Sequence, residues 1–314
     1  LDRSNGMVSS FLQMYDQPIT FSLVPNSYAI LEDEVPTGFP GADQQAYTQQ
    51  IYRTLSEVDD QLEIVDFSDA LSQHKDEYIY YRTDHHWTSL GAYYGYTGLA
   101  TALGYTPVPL NHWTTLGAYY AYVAYCEQKG LTPVSLEELK ENKVEDFYGT
   151  FYSKAKRPSQ PADTITWYDV DVDEFAFVAN LQQDKQLAQL GEVVQEDGLE
   201  LLRVDGMMDQ RKFEVRDKYA AFMWGNSGYV KIKSSHNLNH QEGKTSRLLL
   251  FKDSYANSMI PYLTYNYDEI IVVDLRYMAK STKELMQEEF DDIFVMYNFS
   301  TYVSGASDLA KLKF

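Results

Sequence analysis

RLLLFKDSYANSMIPYLTYNYDEIIVVDLRY, residues Arg247–Tyr277, is the stretch whose reading decides the fold. Arg247–Phe251 is a short apolar run with no polar alternation, as expected of a strand covered on both faces. Lys252-Asp253-Ser254 follows it and opens a helix-length segment, Tyr255–Leu263. A second apolar run rich in β-branched residues comes next at Glu269–Asp274. Further on, Ser281–Phe290 has a helical pattern with an acidic outer face, and Ile293–Tyr297 is a third apolar run. Strands alternating with helices predict a mostly parallel sheet with helices on both faces. The N-terminal part continues the pattern. Ile19–Val24, Leu62–Phe67 and Tyr78–Arg82 read as strands, and Asp43–Asp60 as a long polar helix. The prediction is an α/β chain with a three-layer α/β/α core formed by residues 1–157 and 247–314.

Residues 158–246 break the pattern. Thr164–Val172 and Phe175–Val178 alternate apolar with polar, and Asp197-Gly198 and Asp205-Gly206 are turn signals. This segment reads as a β-rich insertion covering the site. Inside the core, His86–Leu110 and His112–Leu136 form a tandem repeat at an offset of 26, with 14 of 25 positions identical. Each copy predicts one helix closed by a Gly and a Thr-Pro turn. Two copies are too few for a solenoid, so a local duplication is expected. The second copy has Leu110 and Asn111 where the first has Asp84 and His85.

Composition narrows the function. The 314 residues carry 26 Lys+Arg and 46 Asp+Glu, a net charge of −20, which argues against nucleic acid or an anionic membrane face as partner. A lone cysteine, Cys126, excludes an internal disulfide and a cysteine metal cluster, and no disulfide-linked partner is expected. No apolar run approaches the roughly 20 residues of a membrane span. Because the chain begins at Leu1 rather than Met, the loss of an N-terminal piece is expected. The 27 tyrosines suit either a polar-tipped core or stacking on sugars.

Two motifs carry chemistry. Thr83-Asp84-His85-His86-Trp87-Thr88 lies where the Tyr78–Arg82 strand should end, the edge at which open α/β sheets bind ligands. Asp84 and His86, two apart, can share one cavity, the carboxylate orienting the imidazole and leaving its other nitrogen as a base. The structural alternative is that Asp84 caps the following helix. Ser254, after RLLLF, projects from the same edge beside the amides of a helix start, which can stabilise an oxyanion. It needs a base such as His86 to become nucleophilic. Here the alternative is that Asp253 and Ser254 are ordinary caps. Arg276 of DLRY either approaches the site or bridges to Asp274. His85 either lines the cleft or hydrogen-bonds to a carbonyl, and Trp87 packs under the loop. His112, without an acidic partner, reads as structural, and His74, His236 and His240 have no motif around them.

Together TDHHWTSLGAYY, YGTFYSKA (Tyr148–Ala155), YVKI (Tyr229–Ile232), FKDSYANS and DLRY resemble the DHHW proteins of bacterial surface-polysaccharide systems. These are similar to the alginate O-acetyltransferases of the SGNH-hydrolase-like superfamily. The resemblance implies an SGNH-like core and a catalytic set of Ser254, His86 and Asp84 without metal or cofactor. It also implies an oxyanion donor, best matched by Asn226 in Trp224-Gly225-Asn226; Arg276, His85 and Trp87 stand beside it as the further substrate-binding candidates read from their own positions. Lys252 stands where the family's Gly-Asp-Ser motif has glycine, and the duplicated helix is a second departure. The activity implied is O-acyl transfer to, or acetyl removal from, a cell-surface or secreted polysaccharide. That activity would lie outside the cytoplasm, in a protein anchored through an N-terminal segment. A membrane-bound O-acyltransferase would supply the acyl group.

Two other functions compete. A non-catalytic polysaccharide-binding or scaffold protein would accommodate both Lys252 and the duplication. A metal-dependent phosphoesterase would use Asp-His-His as ligands, but it needs further carboxylates at strand ends.

Overall fold

The computed structural model describes residues 2–15, 17–38, 43–107, 141–155, 159–182 and 184–313. The second repeat copy, with Cys126 and His112, lies outside them. In chain order the strands are β1 (Ile19–Val24), β2 (Glu63–Ile64), β3 (Glu141–Phe147), β4 (Asp163–Tyr168), β5 (Glu174–Phe177), β6 (Gly191–Glu196), β7 (Leu199–Val204), β8 (Val230–Lys233), β9 (Arg247–Lys252), β10 (Glu269–Val273) and β11 (Asp292–Asn298). Among the described residues, nine of them form one sheet in the order β2-β1-β11-β9-β10-β8-β5-β7-β6, and β3 pairs with β4 separately.

The sheet is mixed, which corrects the expectation of a mostly parallel one. Pairings from β2 through β10 are parallel, and those from β10 through β6 are antiparallel. The β-rich segment thus continues the core's own sheet, because β8 pairs with the free edge of β10 instead of closing into a separate unit. Asp197-Gly198 turns β6 into β7.

Burial explains why the parallel half reads as unbroken apolar runs. All six residues of β1 and five of six in β9 are buried. Successive side chains nevertheless leave β9 in opposite directions. Leu248 and Leu250 join a core with Tyr96, Leu99 and Tyr262, whereas Leu249 and Phe251 join one with Phe11, Ile51 and Leu55. Helices Ser89–Ala102 and Ile260–Leu263 cover the first face, and Asp2–Leu12 and Gln44–Ser56 the second. None of the described helices is long and apolar enough to cross a membrane.

Several elements are shorter than periodicity predicts. Tyr78–Arg82 is not a sheet strand, since only Tyr80 makes a bridge, to Trp87. The strand at Leu62–Phe67 shrinks to β2, and the Ser281–Phe290 helix to Thr282–Leu285. Tyr255–Leu263 is a 3-10 turn, Ser254–Ser258, followed by one helical turn. Many tyrosines serve the core: Tyr96, Tyr229, Tyr255, Tyr267 and Tyr302 are fully buried. Their burial is tolerable where the hydroxyl finds a partner, as Tyr229 does at Asp197 (2.8 Å) and Tyr302 at Asn5 (2.8 Å).

Candidate active site

The Asp84–His86 segment is a loop that folds back on itself. Tyr81 N–H donates to the His86 carbonyl (3.2 Å) and Thr88 N–H to that of Ile79 (2.9 Å). The tip is held instead by the Asp163 carboxylate, 1% exposed. Asp163 accepts from Arg82 N (3.0 Å), Thr83 N (2.6 Å), the Thr83 hydroxyl and the Tyr78 hydroxyl. Beneath the loop, Trp87 lies so close to helix Ser89–Ala102 that a Cβ at Gly95 would sit 2.8 Å from its ring. Thr88, not Asp84, caps that helix, accepting from Gly91 N.

Asp84 and His86 are buried and joined. Asp84 Oδ1 accepts from His86 Nδ1 (2.5 Å) and His86 N (3.1 Å), and Oδ2 accepts from Thr150 N (2.8 Å) and Oγ1 (3.1 Å). Burial alone would raise the Asp84 carboxyl. The His86 hydrogen bond, the charges of His86 and His85 and the Thr150 amide outweigh it and hold Asp84 well below the usual carboxylate range. An ionised carboxylate only accepts, so Nδ1 of His86 carries a proton, and in the neutral imidazole Nε2 is the acceptor. Ser254 Oγ lies 2.8 Å from that Nε2. The Tyr219 ring stacks on His86 (centroids 3.8 Å apart, 10° between planes), and its hydroxyl donates to the Ser254 carbonyl (3.1 Å).

Ser254 begins the 3-10 turn after β9, whose neighbours are β11 and β10, and it is half-buried. Asp253 caps that turn through Tyr255 N (3.0 Å). Its second oxygen accepts from Asn298 N (2.9 Å), tying the ends of β9 and β11. Two bonds connect this wall to the His86 loop: the Trp87 indole donates to the Tyr255 carbonyl (2.8 Å), and the Tyr255 hydroxyl to that of His85.

The remaining candidates are placed as follows. His85 is half-buried; its Nδ1 meets Thr150 Oγ1 (2.8 Å) rather than a carbonyl, and its ring leans on His86. Burial and the neighbouring His86 lower it to about 4, against the partial pull of Asp84, so it is neutral near neutral pH. Trp87, fully buried, packs and does not reach the cleft surface. Arg276 is a bridge, bidentate to Asp274 at 2.9 and 2.6 Å. Asn226 is exposed, and its Oδ1 accepts from Lys252 Nζ (3.2 Å) and Asn257 Nδ2 (3.2 Å). Lys252 is 1% exposed. His74 and His240 pair with Glu77 and Asp268.

Asp84, His85 and His86 also offer metal-ligand atoms within 4.8 Å of one another, and among the described residues that group has no fourth member. Both Asp84 oxygens and both His86 nitrogens are committed to the contacts above, so a cation would have to break the arrangement rather than complete it. The donor set fits proton handling better than metal binding.

Sequence reasoning assigned no role to Gly149, Thr150, Asp163, Tyr219 or Asn257. A Cβ at Gly149 would overlap the Asp84 carboxyl, so only glycine lets this backbone close over it. Gly149 and Thr150 lie in YGTFYSKA, so a signal existed there. Asn257 likewise lies in FKDSYANS, five residues from its partner Lys252, whereas Asp163 and Tyr219 carry none, because their partners are distant in sequence.

In this α/β fold a loop histidine held by a buried carboxylate thus faces a serine at the carboxyl end of a central strand. The chain belongs to the DHHW protein family, whose model matches residues 23–111 and 105–273. The two stretches overlap at residues 105–111, where the first repeat copy ends. No curated protein matches the chain. Among solved structures, it is similar to a DHHW family protein from Eubacterium siraeum DSM 15702: 22% identity, 98% of this chain, 86% of that one, TM-score 0.65. It is also similar to Bacillus cereus PatB1 at 14% identity, covering 96% of this chain and 90% of that one, TM-score 0.62. The structure of PatB1 with a sulfonyl adduct gives 13% identity, 95% and 87% coverage, and TM-score 0.61. At these identities the likeness is one of fold.

Proposed function

We propose that this protein is an SGNH-like, serine-dependent O-acyl-transferring enzyme acting on a polysaccharide outside the cytoplasm. The observation that carries the reading is the continuous pair of hydrogen bonds from Asp84 to His86 (2.5 Å) and from His86 to Ser254 (2.8 Å). Ser254 Oγ attacks the acyl carbonyl while its proton passes to His86 Nε2, and the imidazolium so formed is stabilised by Asp84. The tetrahedral oxyanion is held by the Ser254 amide and the Asn226 side chain. Its collapse expels the donor's oxygen, which takes the proton from His86. A sugar hydroxyl, or water, then attacks the acyl-enzyme, giving its proton to His86, which returns it to Ser254 Oγ as the serine is expelled.

A saccharide acceptor is supported by a cleft of about 700 Å³ lined by the half-buried or exposed Tyr28, Tyr78, Arg82 and Phe151, next to but not including Ser254, His86 and Asp84. Flat rings with polar tips suit sugar faces. Phe151, 46% exposed, follows the Thr150 that holds Asp84, and its ring lies 6.2 Å from that of His85. In this reading a membrane-bound O-acyltransferase is the acyl donor's source.

Ser254→Ala is the deciding variant. It should abolish turnover of a chromogenic acetyl ester and labelling by a sulfonyl fluoride. Turnover equal to the wild type would overturn the assignment.

A further inference from the structure

Lys252 ends β9 two residues before Ser254 and is 1% exposed, yet the reaction proposed above gives it no task. A lysine ammonium has three N–H donors. Here they meet Asn257 Oδ1 at 2.8 Å, Asn226 Oδ1 at 3.2 Å and Asp274 Oδ2 at 3.5 Å. Asp274 is engaged more closely by Arg276, at 2.9 and 2.6 Å. The nearest partners of the buried cation are therefore two carboxamide oxygens.

That has a directional consequence. A carboxamide's oxygen and NH₂ ends are nearly alike in shape, so an exposed asparagine is free to turn either end outward. A cation on one side removes the choice, since NH₂ against NH₃⁺ sets donor against donor. With Lys252 and Asn257 Nδ2 both donating to Asn226 Oδ1, the NH₂ is the end turned away from the lysine. The backbone that delivers Asn226 is itself strained. Met223, Trp224 and Gly225 have successive φ values of +58°, +55° and +87°. Two bulky residues in the left-handed region are strained and persist only where the surroundings over-determine them.

We infer that Lys252 is a positioning residue for the oxyanion: it holds the Asn226 carboxamide oxygen-inward, so that the NH₂ is the group offered to the reacting carbonyl. This rests on the proposed roles of Ser254 and Asn226 and explains why a lysine occupies the strand end beside the nucleophile.

The test is a double-mutant cycle on chromogenic acetyl ester turnover, with sulfonyl fluoride labelling of Ser254 alongside. Asn226→Ala should lower kcat by roughly 10²-fold with KM little changed. Lys252→Met should lower kcat by about 10-fold or more, and the double variant should fall no further than Asn226→Ala, because the lysine acts through the amide. Losses that multiply would overturn the inference. Asn226→Asp keeps an acceptor for Lys252 and removes the NH₂. It should lose as much kcat as Asn226→Ala while its Tm equals or exceeds the wild type's, and kcat within about threefold of wild type would overturn the inference. This variant decides the matter if Lys252→Met does not fold. A wild type with neither turnover nor labelling overturns the parent reading and this one together. A labelled, active wild type with multiplying losses overturns this one alone.

Discussion

Ser254 and His86 stand 2.8 Å apart, yet the backbones beneath them are held in different ways. Below Ser254 runs β9, hydrogen-bonded on both sides and buried on both faces. Below His86 runs a loop whose tip has no ladder and is gripped by two carboxylates, Asp163 from outside and Asp84 from within. Hydrophobic burial is non-directional and positions a strand through many small contacts. A carboxylate clamp is directional and relies on a few charge-assisted bonds. The serine wall should therefore tolerate local change, and the histidine wall should fail when one group is altered.

The sharpest way to separate the walls is Asp84→Asn. An amide can present NH₂ to His86 and favour the wrong tautomer, so kcat should fall roughly 10³–10⁴-fold with KM little changed. Steady-state kinetics would check this, and a loss below tenfold would mean that Asp84 only shapes the loop. Asp163→Ala strands the buried donors of Thr83 and the part-buried ones of Arg82 and Tyr78. It should cost about 3 kcal/mol in urea unfolding, against under 1 kcal/mol for removing an exposed carboxylate. If the two cost the same, the clamp is not what holds the tip. Gly149→Ala forces the Asp84 carboxyl aside, and a misplacement near 1 Å should lower kcat/KM by about 10²-fold.

The smallest effect concerns pH. His85 is lowered from 6.5 to about 4, so between these values the unfolded chain binds more protons than the native one. Stability should rise with pH across that window. Tm measured from pH 4 to 7 should show the slope, and His85→Gln should flatten it. An unchanged slope would assign the dependence to other groups.

Legibility followed the same division. Apolar runs at Ile19–Val24, Arg247–Phe251, Glu269–Asp274 and Ile293–Tyr297 marked the parallel strands, because burial on both faces leaves an unbroken hydrophobic signature. Tyr78–Arg82 looked alike and is not a strand: its aromatics pack against Phe147 and Tyr219 and stack beneath Arg82 instead of lining a sheet. The mixed sheet was hidden for another reason. Phe175–Phe177 is buried on both faces, yet a stretch so short does not reveal which edge it joins.

By itself, the sequence determined the candidates: which residues could move protons, which strand end would carry the serine, and that an aspartate two residues before a histidine could orient it. These depend on side-chain chemistry and local spacing. Only the tertiary structure decided that positions 84, 86 and 254 meet, that Thr150 and Gly149 close over the carboxylate, and that Lys252 faces Asn226. Such contacts join residues tens to hundreds of positions apart. They exist only once the entropy of bringing those segments together has been overcome by the burial of the core between them.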